Sequence, residues 1–359
     1  MPKLKRRPYR IHIVGPAWMS GGTEQHTQTL QRFFDPTRVR IDCVHVTTSQ
    51  YFDQATAEET SLTIRQTPPE ELAAATANAD CILHWGIESD LYLKPSRSQA
   101  RIAIAHGSSH WGCRMLEGSQ QTTDLTICVS QHVADSYDLI MKHDVIRNGI
   151  DTSRLTNTRS ARTSRAELGV TDETFVVGYV GRLAPEKSVD QLIRAIDLTG
   201  YPTQLVICGT GNEHQKLLGL SLESECATTQ FTYRSIFMGD IYQSLDCFVM
   251  PSEHEGFCLA AAEAMWCGLP LIMRRTGLAA TDIIDGFDGH LYDGSDQQLA
   301  DKIDMVRKLQ RFPNHMGYRA HEKADELYHG LRMANEYTTA IEALIESKPD
   351  HKMSRHIPY

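Results

Sequence analysis

Short apolar runs recur along the first half of the chain, separated by amphipathic or polar stretches. Ile11-His12-Ile13-Val14 comes first, then Ile41 to Val46, Cys81 to Leu83, Ile102 to Ala105 and Leu125 to Val129. Runs of this length read as strands. Helical spacing falls between several of them, as over Glu24 to Phe34 and Gln131 to Ile140. Strand alternating with helix predicts a parallel sheet with helices on both faces.

The texture then changes. Asn148-Gly149 is a turn signal, and Asp151 to Thr163 is polar and rich in Thr, Ser and Arg, which reads as a linker. A second series follows at Phe175 to Val180, Gln204 to Cys208, Ile236 to Met238, Cys247 to Met250, Leu271 to Met273 and His290 to Tyr292. Helices are predicted at Ser188 to Leu198 and Leu259 to Trp266. The pattern predicts two doubly wound domains, over 1–150 and 151–340, with a tail at 341–359 that packs back on the first. The chain from Leu299 onward reads as helical and charged, and Met353 to Tyr359 as a frayed end. Ligands of such folds bind at the carboxyl ends of the strands, so a cleft between facing domains is the expected site.

Composition narrows the function. A chain of 359 residues, 41% hydrophobic and 23% charged, suits two globular domains. No apolar run approaches the ~20 residues needed to span a bilayer. No apolar core follows the basic N-terminus, so no secretory signal is expected. The nine cysteines stand singly, without a C-x-x-C pair, which predicts neither a zinc site nor a disulfide framework. A reducing cytoplasm fits this usage. Net charge of −9 disfavours nucleic acid as a partner. Lys3, Lys5, Arg6, Arg7 and Arg10 are a local exception. They form either a solvated terminus or a peripheral contact with anionic lipid at the inner face of the membrane, at about 1 kcal/mol per residue.

Three segments carry candidate chemistry. Gly21-Gly22-Thr23-Glu24 follows the first strand and opens a helix. Glycines let backbone approach a ligand, and N–H groups at a helix start attract anions. A plain turn capped by Thr23 is the structural alternative. Arg182 and Lys187 flank a Pro-containing turn at a strand end, where a guanidinium fork and a mobile ammonium would clamp a diphosphate. A solvated loop with Glu186 paired to either cation is the alternative. Pro251 to Pro270 is the most specific segment. Glu255 precedes a helix start whose backbone N–H groups, from Gly256, Phe257, Cys258 and Leu259, suit a pyrophosphate. Glu263 lies two turns on among alanines, where an unpaired charge is costly and two ribose hydroxyls would satisfy it.

Glu255 and Glu263 form an E-x7-E pair in the context E-G-F-x-L-x-x-x-E-A-M. This resembles the large retaining family of GT-B glycosyltransferases called the glycosyltransferase-four type, or glycosyl transferases group 1. The resemblance runs along most of the chain in order. Gly21 to Glu24 resembles its N-terminal glycine loop, and Asp124 to Ser130 with Val145 to Asp151 its interdomain approach. Gly181-Arg182 with Glu186-Lys187 resembles its phosphate clamp, and Cys208-Gly209-Thr210-Gly211 its next glycine turn.

The resemblance implies two doubly wound Rossmann-like domains facing across a cleft. It implies retaining transfer from a nucleotide-diphosphate sugar to a sugar-containing or lipid-linked acceptor, with no obligatory metal or other cofactor. Arg182 and Lys187 would hold the diphosphate, Glu255 the transferred sugar and Glu263 the ribose. His106 would contact the sugar, with His110 as substitute and a buried structural histidine as the alternative. Gly21, Gly22 and Gly209 would line the donor. With no obvious covalent nucleophile, same-face attack guided by the leaving phosphate is the expected mechanism. Three departures stand out. Leu220 to Gly239 does not follow the family's spacing, Cys258 stands where glycine is common, and Thr276-Gly277-Leu278 replaces a more usual glycine pair. A sugar epimerase or phosphorylase on the same fold, or a nucleotide-sugar-binding subunit without turnover, are the alternatives.

Overall fold

A computed structural model describes residues 7–19, 21–107, 110–137, 142–156, 159–171, 173–233, 238–309 and 315–350. The chain forms two compact units. One is built from the chain before Ile150 and after His329, the other from Ile150–His329. The chain thus passes between units twice, at Gly149–Ile150 and at His329–Gly330.

The first unit holds β1 (Tyr9–Gly15), β2 (Val39–Val46), β3 (Ile64–Gln66), β4 (Cys81–His84), β5 (Ala100–Ala105), β6 (Leu125–Cys128) and β7 (His143–Val145). Their order across the sheet is β3-β2-β1-β4-β5-β6-β7, and the pairings are parallel. The second unit holds β8 (Val176–Val180), β9 (Thr203–Cys208), β10 (Ala227–Thr232), β11 (Cys247–Met250), β12 (Leu271–Arg274) and β13 (His290–Tyr292). Its order, β10-β9-β8-β11-β12-β13, repeats the first unit's crossing pattern. In each sheet the order reverses beside the first strand, between β1 and β4 and between β8 and β11. That reversal opens a crevice above the carboxyl ends of the strands. The strands are short, and β4, β5, β6, β11 and β13 are buried along their whole length, because helices cover both faces.

Three expectations are corrected. The linker expected over Asp151 to Thr163 is folded into the second unit. It includes the helix Ser153–Thr156, and the helix Ala161–Glu167 begins within it. Arg159 donates to both oxygens of the largely buried Asp240, through its backbone N–H at 2.8 Å and its Nε at 2.9 Å. The segment is exposed at Thr156 and from Arg159 to Thr163 and is held to the unit by this ion pair. Second, Met238 begins a helix, Met238–Ser244, not the end of a strand, and Ile236 lies outside the described residues. The strand of that region is β10, whose Ala-Thr-Thr-Gln-Phe-Thr sequence is too polar to read as an apolar run. Third, Gly21 rather than Thr23 occupies the cap position of the helix Gly22–Phe33.

The return to the first unit begins at Gly330, ahead of the expected 341. The helix Gly330–Ser347 buries Met333, Ala334, Tyr337, Ile341 and Ile345 along one stripe. Burying side chains of this size stabilises by roughly 1.5–3 kcal/mol each, as an upper estimate. Arg38 to Glu342 at 2.6 Å and Lys348 to Asp124 at 2.7 Å pin the helix at its outer side and its end. Residues 353–359, expected to fray, lie outside the described residues, as do Lys3, Lys5 and Arg6. Arg7 bonds Asp80 at 2.7 Å and Arg10 bonds Asp42 at 2.6 Å, so those two charges are already matched within the fold. Among the described residues no helix is long and apolar enough to cross a membrane.

Candidate functional site

In the second unit the loops after β8 and β11 meet. β8 ends at Val180, and the chain continues through a Pro185–Lys187 turn into the helix Val189–Thr199. The Glu253 backbone N–H donates to the Glu186 carbonyl at 3.1 Å, which ties this turn to the loop leaving β11. The tie brings Lys187 Nζ to 2.7 Å from Glu255 Oε1. Both side chains are largely buried, at 15% and 11% exposure. Arg182 is 64% exposed and pairs with Glu186 at 3.0 Å. The two expected phosphate ligands therefore differ: Lys187 is largely buried against Glu255, whereas Arg182 is exposed and paired with Glu186. Beside them, the Gly209 backbone runs so close that a Cβ there would lie 1.8 Å from the Gly181 carbonyl oxygen. Only glycine permits that approach.

Glu255 is fixed from its other side by the Thr276-Gly277-Leu278 departure. Its backbone N–H donates to Thr276 Oγ1 at 2.9 Å. Gly277 has φ of +59°, and a Cβ there would sit 2.5 Å from the Phe257 carbonyl oxygen, which already accepts from the Leu278 N–H at 2.8 Å. Thr276 is a missed residue of this site, with no signal in sequence beyond its departure from the family pattern. Cys258, at the cap of the helix Leu259–Trp266, has φ of +81° and is buried. That left-handed backbone explains in physical terms why glycine suits the position. Burial pushes the Cys258 thiol up, so it stays protonated.

Glu263 points into the unit with only 4% exposure. Tyr242 on the Met238–Ser244 helix donates its hydroxyl to Glu263 Oε2 at 2.7 Å, and Arg154 Nη1 lies 3.8 Å from Oε1. Burial, reinforced by the Glu263 charge, raises the Tyr242 phenol well above its ordinary value and keeps it a donor. The apolar helix run thus tolerates a carboxylate because two other elements bring partners to it. Sequence reading missed both. Arg154 lay in the supposed linker, and Tyr242 just beyond the stretch with irregular spacing.

The first unit assembles a different set. Glu24 folds back on the glycine loop, accepting from the Met19 N–H at 3.1 Å and the Thr23 hydroxyl at 2.9 Å. A carboxylate of the protein itself therefore lies against this glycine loop. His106 follows β5 and meets Trp85 and His26 edge-on, with ring centroids 5.8 Å and 5.0 Å away. His26 Nε2 in turn bonds the Tyr337 hydroxyl at 3.2 Å. Burial holds His106 down to about 4 and His26 well below its ordinary value, so both are neutral near pH 7. His110 opens the helix His110–Glu117, and its side chain lies outside the described residues. Gly21, Gly22 and His106 belong to the first unit; Arg182, Lys187, Gly209, Glu255 to Leu259 and Glu263 belong to the second. Among the described residues no group of three or more His, Cys, Asp or Glu could hold a metal ion.

Comparison with known proteins fits this architecture. HepE from Anabaena, solved with UDP-glucose, superposes with a TM-score of 0.79 over 93% of this chain and 100% of its own, at 18% identity. The fold is therefore GT-B, with two doubly wound Rossmann-like units. Residues 160–323, which lie within the second unit, match the family model described as glycosyl transferases group 1. D-inositol 3-phosphate glycosyltransferase from Corynebacterium jeikeium is 35% identical over 180 residues, 46% of this chain and 42% of that protein. GDP-mannose-dependent alpha-mannosyltransferase from Mycolicibacterium smegmatis is 41% identical over 104 residues, 28% of this chain and 26% of that protein. The chain spans about half the length of the curated D-inositol 3-phosphate glycosyltransferases it matches.

Proposed function

We propose that this chain is a retaining glycosyltransferase that uses a nucleotide-diphosphate sugar. The observation that carries the reading is the Lys187–Glu255 pair at 2.7 Å, set against the start of the Leu259–Trp266 helix. A buried cation beside a helix N-terminus is a site for a leaving diphosphate. When a diphosphate oxygen takes the Lys187 ammonium, the Glu255 carboxylate is released toward the hydroxyls of the transferred sugar. Arg182 closes on the phosphates from solvent. Gly256, Phe257, Cys258 and Leu259 contribute backbone N–H groups, and Gly209 leaves room for the donor. Glu263, held by Tyr242, receives the ribose diol.

Transfer then runs on one face of the sugar. The bond from the anomeric carbon to the diphosphate breaks as the acceptor oxygen bonds that carbon, and the acceptor proton passes to the departing phosphate. His106, being neutral, orients a hydroxyl without adding charge. The cationic and dipolar stabilisation replaces a divalent metal, so turnover should persist in excess chelator. Full loss restored by magnesium or manganese would refute that step. Relatives and structural neighbours point to two bases, through the GDP-mannose dependence named for one and the UDP-glucose bound to another. A thermal-shift screen of UDP- and GDP-sugars tests the whole reading. A ligand at about 100 times its Kd adds ~2.7 kcal/mol, and no response to any nucleotide-sugar would overturn it. The anomeric configuration of the product tests retention.

A further inference from the structure

A cavity of about 250 Å³ lies within the first unit, at the carboxyl ends of β4 and β5. Trp85, Ile87, Ile104, Met115 and Leu116 supply its apolar wall, and His106 borders it. Trp85 is laid down by Gly15, where a Cβ would come within 2.5 Å of the indole ring. The hydroxyl groups of the wall and His84 are already engaged. His84 Nε2 bonds Thr123 Oγ1 at 3.1 Å, Ser119 Oγ donates to the Ile87 carbonyl at 2.9 Å, Thr23 donates to Glu24 at 2.9 Å, and Tyr137 donates to the Gly107 carbonyl. Among the described residues the His106 ring has aromatic edge contacts and no hydrogen bond.

This distribution selects among acceptors. A fully hydroxylated sugar brings polar groups on every side. Each one buried without a partner costs about 1–3 kcal/mol, and beyond groups already bonded within the protein the wall offers the His106 ring and the Trp85 indole N–H to meet them. An apolar group pushed into the same space loses no hydrogen bonds and leaves water. A cavity of ~150 Å³ lined by Leu, Ile and Phe suffices for benzene, so this one takes a substituted ring or a short branched chain. We propose that the cavity receives the apolar group of an acceptor alcohol, aryl or isoprenoid, with its accepting hydroxyl against His106. The inference rests on the glycosyltransferase reading above.

The test uses the full chain and two separate readouts. In methyl NMR, benzyl alcohol or geraniol should shift the Ile104 and Met115 methyl signals, and glucose should leave them in place. With UDP-glucose or GDP-mannose as donor, whichever binds, transfer to these alcohols should exceed transfer to ethanol by roughly ten- to a hundredfold. Met115→Gln, which keeps volume and adds an amide, should remove most of that preference while nucleoside diphosphate binding is unchanged. Leu116→Trp, which fills the space, should do the same. Methyl signals unmoved by both alcohols, or moved equally by glucose, would overturn the proposal. Preference for benzyl alcohol over geraniol assigns an aryl acceptor, and the reverse an isoprenoid one. Absence of donor binding, with methyl shifts intact, would instead sink the glycosyltransferase reading and leave the cavity's preference standing.

Discussion

The two units share the order of their first six strands and carry different chemistry. In the second, the crevice loops bring charge together: Lys187 on Glu255, and Arg154 near a Glu263 already bonded to Tyr242. In the first, the corresponding region is mainly aromatic. His106, His26, Trp85 and Tyr337 meet edge-on and bond without an ion among them, and the nearby Glu24 carboxylate is turned to the glycine loop. Topology decides where ligands gather, and the side chains on the loops decide whether the site stabilises charge or excludes it. The contrast can be broken in four ways.

The largest effect should come from acid. Burial lowers His84, His106 and His45 to about 4, and His45 shares a 2.9 Å bond with His12, which burial also lowers. Their folded values lie below the unfolded value near 6.5. The neutral rings therefore contribute stability that is complete above pH 6.5 and lost as pH falls toward 4. Each full shift corresponds to roughly 3 kcal/mol. All four residues belong to the first unit. Hydrogen exchange between pH 7 and 4 should show the first unit opening before the second. Opening of Ile150–His329 first would reverse the comparison.

Next comes the buried pair. Lys187→Ala leaves Glu255 without its cation and should weaken nucleoside diphosphate binding about a hundredfold, or ~2.7 kcal/mol, with nucleoside binding little changed. Calorimetry with both ligands measures this, and equal loss for the two would remove the lysine from phosphate recognition. A double-mutant cycle with Glu255→Ala should return a coupling of about 1–3 kcal/mol.

Tyr242→Phe should cost about 1–2 kcal/mol of stability by leaving a buried carboxylate short of a donor. It should also shrink the preference for a ribose over a 2′-deoxyribose donor. An unchanged preference would make Tyr242 a purely structural partner. The smallest effect is expected at Cys258. Glycine relieves about 1 kcal/mol of left-handed strain and forfeits a buried side chain of similar worth, so Cys258→Gly should shift Tm by only a few degrees. Cys258→Val, β-branched at the same φ, should lower it distinctly.

What could be read from sequence follows from which forces act locally. The central strand β11 is apolar throughout, and β5 and the helix Leu259–Trp266 carry one charged residue each in an otherwise apolar run, so all three stand out. The strands that escaped notice, β3, β7 and β10, are the edges of their sheets. There one side faces solvent, and Ile64-Arg-Gln, His143-Asp-Val and a Thr-rich segment suffice. Glu255, Lys187 and Glu263 could be singled out because charge near glycine and alanine is unusual. Their mutual contacts could not, since Lys187 and Glu255 are brought together by a backbone bond between separate loops. Arg154, Tyr242, Thr276 and Tyr337 are ordinary residues in ordinary contexts, and only tertiary placement gives them partners.

The double crossing at Gly149–Ile150 and His329–Gly330 also sets an order of assembly during synthesis. Every residue of the second unit precedes the closing helix in the chain, so that unit is complete in sequence before the first one is. The first unit begins earlier and finishes last. Its Tyr337, which bonds His26 behind His106, arrives only with the closing helix. Gly149 and Gly330 fit back to back, a Cβ on the former falling 2.7 Å from the Cα of the latter, so the late segment docks beside the point where the early one left off. A chain truncated after His329 would thus keep Lys187, Glu255 and Glu263 in a unit of complete sequence and lack the Tyr337 that bonds His26.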